Sequence, residues 1–181
     1  MKYLQCMAMG AMLALLATPV SAEVLNAGAS GFTVRETTHL TAAPDAVYAA
    51  LIEPRQWWKS AHTFSGDAAN LTLDAKAGGC WCETLPDGGS VEHMRVVFAD
   101  PGKVLRLRGG LGPMQSMAIL GAMTWTLKSA GSETDLTLTY AAGGYDKDGF
   151  AELAKSVDEV LSEQVNRLTL YVDTGMPEPQ P

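Results

Sequence analysis

Apolar residues recur every three or four positions over the last third of the chain. Phe150, Leu153, Val157, Val160, Leu161, Val165, Leu168 and Tyr171 form one stripe, and Lys155, Asp158, Glu159, Ser162, Glu163, Asn166 and Arg167 fill the other face. This spacing predicts one amphipathic helix from Gly149 to about Val172, about 36 Å long at the rise of an α-helix. Upstream the period changes to two. Leu71 and Leu73 alternate with Thr72 and Asp74; Met123, Trp125 and Leu127 alternate with Thr124 and Thr126; Leu136, Leu138 and Tyr140 alternate with Thr137 and Thr139. Such alternation predicts antiparallel strands with one wet and one buried face.

Punctuation residues divide the rest. A small-residue leader over 23–30 precedes a first strand, Gly31 to Leu40. Thr41-Ala-Ala-Pro-Asp45 opens a helix, with Thr41 as the expected cap and Pro44 and Asp45 in the first turn. Pro54 ends that helix and opens a second short turn carrying Trp57 and Trp58. Turn signals at Gly78-Gly79, Pro86 to Gly89, Asp100 to Gly102, and Ala130 to Ser132 then separate six strands. Gly109 to Gln115 is an irregular, glycine-rich connection suited to a flap. The expected fold class is α+β: a curved antiparallel sheet of about seven strands around the long C-terminal helix, with two short helices after the first strand. A helix seldom fills the concavity of such a sheet, so a pocket between the two is expected.

The start of the chain carries its own pattern. Lys2, an apolar run from about Met7 to Ala17, Pro19, and the small residues of Val20-Ser21-Ala22 read as a secretory signal over 1–22. The run is too short to span a bilayer comfortably. The expectation is export to a periplasm or beyond, with no membrane anchor left after cleavage. The folded domain is expected over 30–173, followed by a disordered, proline-rich tail over 174–181. With 13 basic against 20 acidic residues and a formal charge of −7, nucleic acid and anionic membrane surfaces are poor partners.

Ala43-Pro-Asp-Ala-Val-Tyr-Ala-Ala-Leu51 resembles the "APxxVwxxL" opening of the START-like, or SRPBCC, superfamily. Trp57-Trp58, Gly78-Gly79 and the Asp-Pro-Gly turn at 100–102 resemble its subgroup named after the activator of the heat-shock-protein-90 ATPase; polyketide cyclase-like proteins belong to the same superfamily. The resemblance runs from about Gly31 to Val172. It implies the helix-grip fold, in which a curved sheet grips a C-terminal helix around a hydrophobic cavity. It does not imply one activity, because lipid carriers, cyclases, hydroxylase domains and cochaperones share that fold. An exported chain would never meet a cytosolic chaperone, so the subgroup name serves as a label only.

Three groups of residues are candidates for chemistry. Cys80 and Cys82 stand on one face of a strand and Trp81 and Glu83 on the other, with the two cysteine Cα atoms about 6.6 Å apart in a regular strand. The preferred reading is two buried, reduced thiols. A bridge between them, or a metal site completed by His93 with Glu83 or His62, are the alternatives. Glu83 and His93 lie on strands joined by the 86–89 hairpin, where a carboxylate beside an imidazole would serve as acid and base. Trp57, Trp58 and His62 are expected at the cavity mouth. Trp81, Met94 and Trp125 are expected on its walls, and Gln164 on the helix stripe needs a polar partner. No phosphate loop, nucleophile elbow or dinucleotide fingerprint is present, and no cofactor is implied. The leading function is binding of a small hydrophobic or amphipathic molecule. A cofactor-free, cyclase-like enzyme using Glu83 and His93 is the second reading, and a thiol or metal module on Cys80 and Cys82 the third.

Overall fold

The computed structural model describes residues 20–179, so the stretch 1–19 that carries most of the expected signal, and residues 180 and 181 of the tail, lie outside the described residues. Chain order runs β1 (Ser21–Ala27), β2 (Gly31–Leu40), α1 (Pro44–Leu51), α2 (Pro54–Trp57), β3 (Leu71–Leu73), β4 (Cys80–Thr84), β5 (Ser90–Asp100), β6 (Val104–Gly109), β7 (Ile119–Ala130), β8 (Glu133–Gly144) and α3 (Ala151–Thr174). All neighbouring strands pair antiparallel in one curved sheet of order β1-β2-β8-β7-β6-β5-β4-β3. This is the α+β helix-grip arrangement.

The strand count is eight, one more than the alternation pattern predicts. The extra strand is β1, formed by the segment expected to be a leader. Its side chains are exposed or half-buried, so its hydrophobic pattern is faint. It forms because the outer edge of β2 offers unpaired backbone N–H and C=O groups, and pairing Glu23 with Arg35 and Val24 with Val34 satisfies them. The expected cleavage point after Ala22 falls inside this strand, two residues from its start.

The first helix also starts differently. Pro44 occupies the first turn and Ala43 is the capping position, without a side-chain cap. Thr41 instead donates from its hydroxyl to Asp173 at 3.1 Å, tying the end of α3 to the start of α1. The last helix ends at Gly175, whose φ of 79° is the left-handed geometry of a helix stop. Beyond it the chain turns back far enough for Glu178 to accept from Arg167 at 2.8 Å.

The core lies between the concave face of the sheet and α3. Ala154, Leu161 and Leu168 are fully enclosed, and Val165 nearly so. Burial of each such leucine contributes on the order of 2 kcal/mol. The helix packs chiefly on β1 and β2 and against α1 and α2. Its first half therefore stands clear of β3, β4 and β5, and that gap holds the site.

Candidate ligand-binding site

A cavity of about 420 Å³ opens between α3 and the β3–β5 end of the sheet. Leu153, Val157, Val160 and Leu161 of α3 form one wall. Leu71 of β3, Trp81 of β4 and His93 of β5 form the facing wall. Trp58 and the segment 61–64 close one end, and Leu111 to Met114 close another. The last of these belongs to the glycine-rich connection, which coils into a 3₁₀ turn over Gly112–Ser116. Gln115 anchors it by donating to the Glu92 carbonyl at 3.0 Å. The lining is overwhelmingly apolar, and its size lies in the range of small-molecule sites, roughly 300–1,000 Å³.

Four tryptophans form one continuous train of edge-on contacts. Trp125 meets Trp57 at 6.1 Å, Trp57 meets Trp58 at 5.6 Å, and Trp58 meets Trp81 at 4.9 Å between ring centroids. Their indole N–H groups are partly used to fix loops: Trp57 donates to the Ala50 carbonyl and Trp58 to the His62 carbonyl, both at 3.0 Å. Of this train Trp58 and Trp81 reach the cavity. Trp57 and Trp125 lie behind them in the core, as does Met94, so none of these three expected site residues, one at the mouth and two on the walls, lines the cavity.

A bulge in the β4–β5 ladder decides the polar chemistry. Trp81 pairs with Met94 and Cys82 pairs with Glu92, leaving His93 as an extra residue between them. In a regular ladder His93 and Met94 would face opposite ways; the bulge turns both inward, and both are buried. His93 Nε2 then lies 2.9 Å from Glu83 Oε2. The Glu83 side chain has no exposure, and that of His93 has 7%. Glu83 also accepts from the backbone N–H of Phe64 at 3.1 Å and from that of Ser65. Burial works to raise the Glu83 carboxyl, but the hydrogen bonds from Ser65, Phe64 and His93 hold it below the usual carboxylate range. Burial pushes the His93 imidazole below its ordinary value, only partly opposed by Glu83. The pair is therefore a carboxylate and a neutral imidazole at pH 7. His93 stands on the cavity wall between Trp81 and Phe64, with ring centroids at 5.7 and 5.9 Å. Glu83 sits behind it and does not line the cavity.

The structure overturns the expected reduced state of the cysteines. Cys80 and Cys82 are joined to each other, with Cα atoms 5.4 Å apart. A regular strand would hold them at about 6.6 Å; the span here is shorter and lies within the range a disulfide bridges. Both are half-buried on the face opposite Trp81 and Glu83. Among the described residues no group of three His, Cys, Asp or Glu side chains gathers in a way that could hold a metal ion.

At the mouth, His62 Nε2 lies 3.0 Å from Glu163, which also accepts from Lys59. Gln164 is buried, and its Oε1 accepts from the Lys59 backbone N–H at 2.9 Å. It does not line the cavity; it fastens α3 to the segment after α2. Arg167 adds a second tie, donating to the Trp57 carbonyl at 2.8 Å. Sequence patterning did not single out Phe64, or the Phe64 and Ser65 amides that hold Glu83. Nothing in the local pattern there signals them, because the segment has no periodicity.

Neither a protein-family model nor a curated protein matches the sequence. Solved structures do share its fold. A conserved protein of unknown function from Enterococcus faecalis superposes with a TM-score of 0.59 at 18% identity, over 90% of this chain and 80% of that one. CalU16 from Micromonospora echinospora gives 0.54 at 15%, over 82% and 78%. DynU16, from the dynemicin biosynthetic locus, gives 0.54 at 24%, with 80% of this chain covering 48% of that longer one. At these identities the likeness is one of fold.

Proposed function

We propose that the protein binds a small hydrophobic or amphipathic molecule in the cavity between sheet and helix. The observation that carries this reading is the cavity itself: about 420 Å³, walled by α3, three strands and two loops, with the Trp58 and Trp81 rings in its lining. Burying apolar ligand surface there contributes about 25 cal/mol per Å². The four-tryptophan train supplies a direct readout. Titration with an apolar probe such as naphthalene should quench or shift tryptophan emission saturably in the parent protein. Replacing Val157 by Trp, which fills the cavity from the helix side, should abolish the response while leaving the melting curve cooperative. No saturable response in the parent would overturn the reading.

The same proposal places the protein outside the cytoplasm after loss of residues 1–22, supported by the Lys2, apolar-run and Val20-Ser21-Ala22 pattern and by a disulfide suited to an oxidising compartment. Among the described residues no helix is long and apolar enough to cross a membrane. Intact mass of the exported protein tests the cleavage: a chain retaining residues 1–22 in the membrane fraction refutes it.

One observation favours a second reading, a cofactor-free enzyme of cyclase type. The neutral imidazole of His93, held by a buried carboxylate, is the arrangement of a general base with its positioning residue. In that case Glu83→Gln leaves probe binding nearly intact and lowers turnover of a carbonyl-bearing substrate by on the order of a hundredfold. Equal turnover in both proteins would exclude it. That DynU16 comes from a biosynthetic locus supports small-molecule chemistry among the uses of this fold.

A further inference from the structure

The polar groups around the cavity are not equivalent. Thr63 donates to the Ser60 carbonyl at 2.8 Å, Ser156 donates to the Glu152 carbonyl at 3.2 Å, and His62 is engaged with Glu163, all in exposed positions around the mouth. His93 is the polar side chain set into the buried wall. Its Nε2 faces a carboxylate, which only accepts, so Nε2 carries the proton and donates. In a neutral ring the other nitrogen, Nδ1, is then a lone-pair acceptor. Nδ1 has no hydrogen-bond partner among the described residues, and it is not among the buried polar atoms sealed from solvent without one.

We infer that the site selects a neutral ligand with an aromatic or aliphatic body and one O–H or N–H donor, the donor being received by His93 Nδ1. This rests on the binding reading above and adds its chemical selectivity. The tautomer is fixed from behind. Two backbone amides and Nε2 converge on Glu83, so the carboxylate cannot turn away without stranding Phe64 and Ser65 N–H groups. A ligand hydroxyl meets an acceptor that is already oriented and lies between the Trp81 and Phe64 rings. An ether or hydrocarbon of the same shape leaves that acceptor without a partner and bound water displaced, which costs affinity. A ligand carboxylate brings a second acceptor and a negative charge next to Glu83 in an apolar setting, which is disfavoured.

The test uses three probes of one shape on the full chain after any leader has been removed: 1-naphthol, 1-methoxynaphthalene and 1-naphthoate, each titrated by tryptophan emission. Expected is 1-naphthol about three- to tenfold tighter than the methyl ether, the scale of one net hydrogen bond, and the carboxylate weakest. His93→Phe should bind naphthol and ether alike, its retained ether affinity showing that it folds. Nitrogen-15 NMR of the unmodified protein gives a readout independent of any variant: in the free protein Nε2 should be protonated and Nδ1 not, and naphthol should shift Nδ1 most. Equal binding of naphthol and ether, or a protonated Nδ1 in the free protein, overturns the inference while leaving the cavity reading intact. Failure of all three probes to bind overturns both.

Discussion

His93 reaches Glu83 although the strand ladder sets Glu83 opposite Val91. The contact exists because one extra residue is stored between the Trp81–Met94 and Cys82–Glu92 pairs. Room for that bulge comes from the neighbouring strand. A Cβ on Gly109 would lie 2.5 Å from the His93 carbonyl oxygen and 2.9 Å from the Met94 Cα. Gly109→Ala should therefore cost about 1–3 kcal/mol, the scale of overpacking, and weaken probe binding because the backbone carrying His93 must shift. Paired denaturant melts and probe titrations check this. A variant with parent-like stability and affinity would show that the bulge has slack.

A destabilising variant remote from the site separates stability from binding. Leu168 is fully enclosed and does not line the cavity. Leu168→Ala should cost about 2–5 kcal/mol and leave the probe affinity of the folded fraction unchanged. A melting curve that overlays the parent would mean that α3 does not hold the sheet.

Glu36 predicts a pH dependence. It stands on β2 between Ala22 of β1 and Leu138 of β8, faces Asp158 of α3 and has no exposure. Burial, reinforced by Asp158, pushes its carboxyl up to about 8. Asp158 is itself raised by burial, with Glu159 adding to the effect. The folded state thus holds a proton that the unfolded chain, with an ordinary carboxyl near 4.5, has already released. Stability from this group is full below pH 4.5 and is lost as pH rises to about 8, by a few kcal/mol at most. Glu36→Gln should flatten that fall and be the more stable protein at pH 8. Thermal melts from pH 5 to 9 decide it, and parallel slopes for the two proteins would refute it.

The dyad has the opposite sign. The lowered His93 means the unfolded chain binds a proton first as pH falls below 6.5, and the lowered Glu83 adds a further loss below 4.5. In the Glu36→Gln background, stability should therefore fall from pH 7 to 4. His93→Phe should remove the upper part of that fall; if the slope between pH 6.5 and 5 is unchanged, His93 is not buried neutral.

Thiol counting checks the bridge. Trapping and peptide mapping of the unfolded, unreduced chain should find no free thiol at Cys80 or Cys82, and two after reduction. Replacing both by serine should cost only about 1–2 kcal/mol, because so small a loop restricts the unfolded chain little. Reactive thiols before reduction would restore the reading of two buried cysteines.

Much of the architecture was legible in residue order. The period of 3.6 in α3, the period of two in β7 and β8, and the turn residues between them each act over a few neighbours, so they can be read without knowing what lies across the core. The Glu83–His93 pairing was legible for the same reason, since a short hairpin brings its own strands together. What lay beyond reach depends on partners distant in the chain. β1 has little pattern of its own and forms because β2 has an open edge. The inward turn of His93 follows from a single residue stored in the β4–β5 ladder, made possible by Gly109 one strand away. Alternation counts residues along one strand, whereas a bulge is a mismatch in count between two, and only the folded sheet sets that difference. The separation of Trp58 and Trp81, on the cavity wall, from Trp57 and Trp125, behind it, likewise depends on where α3 stops touching the sheet.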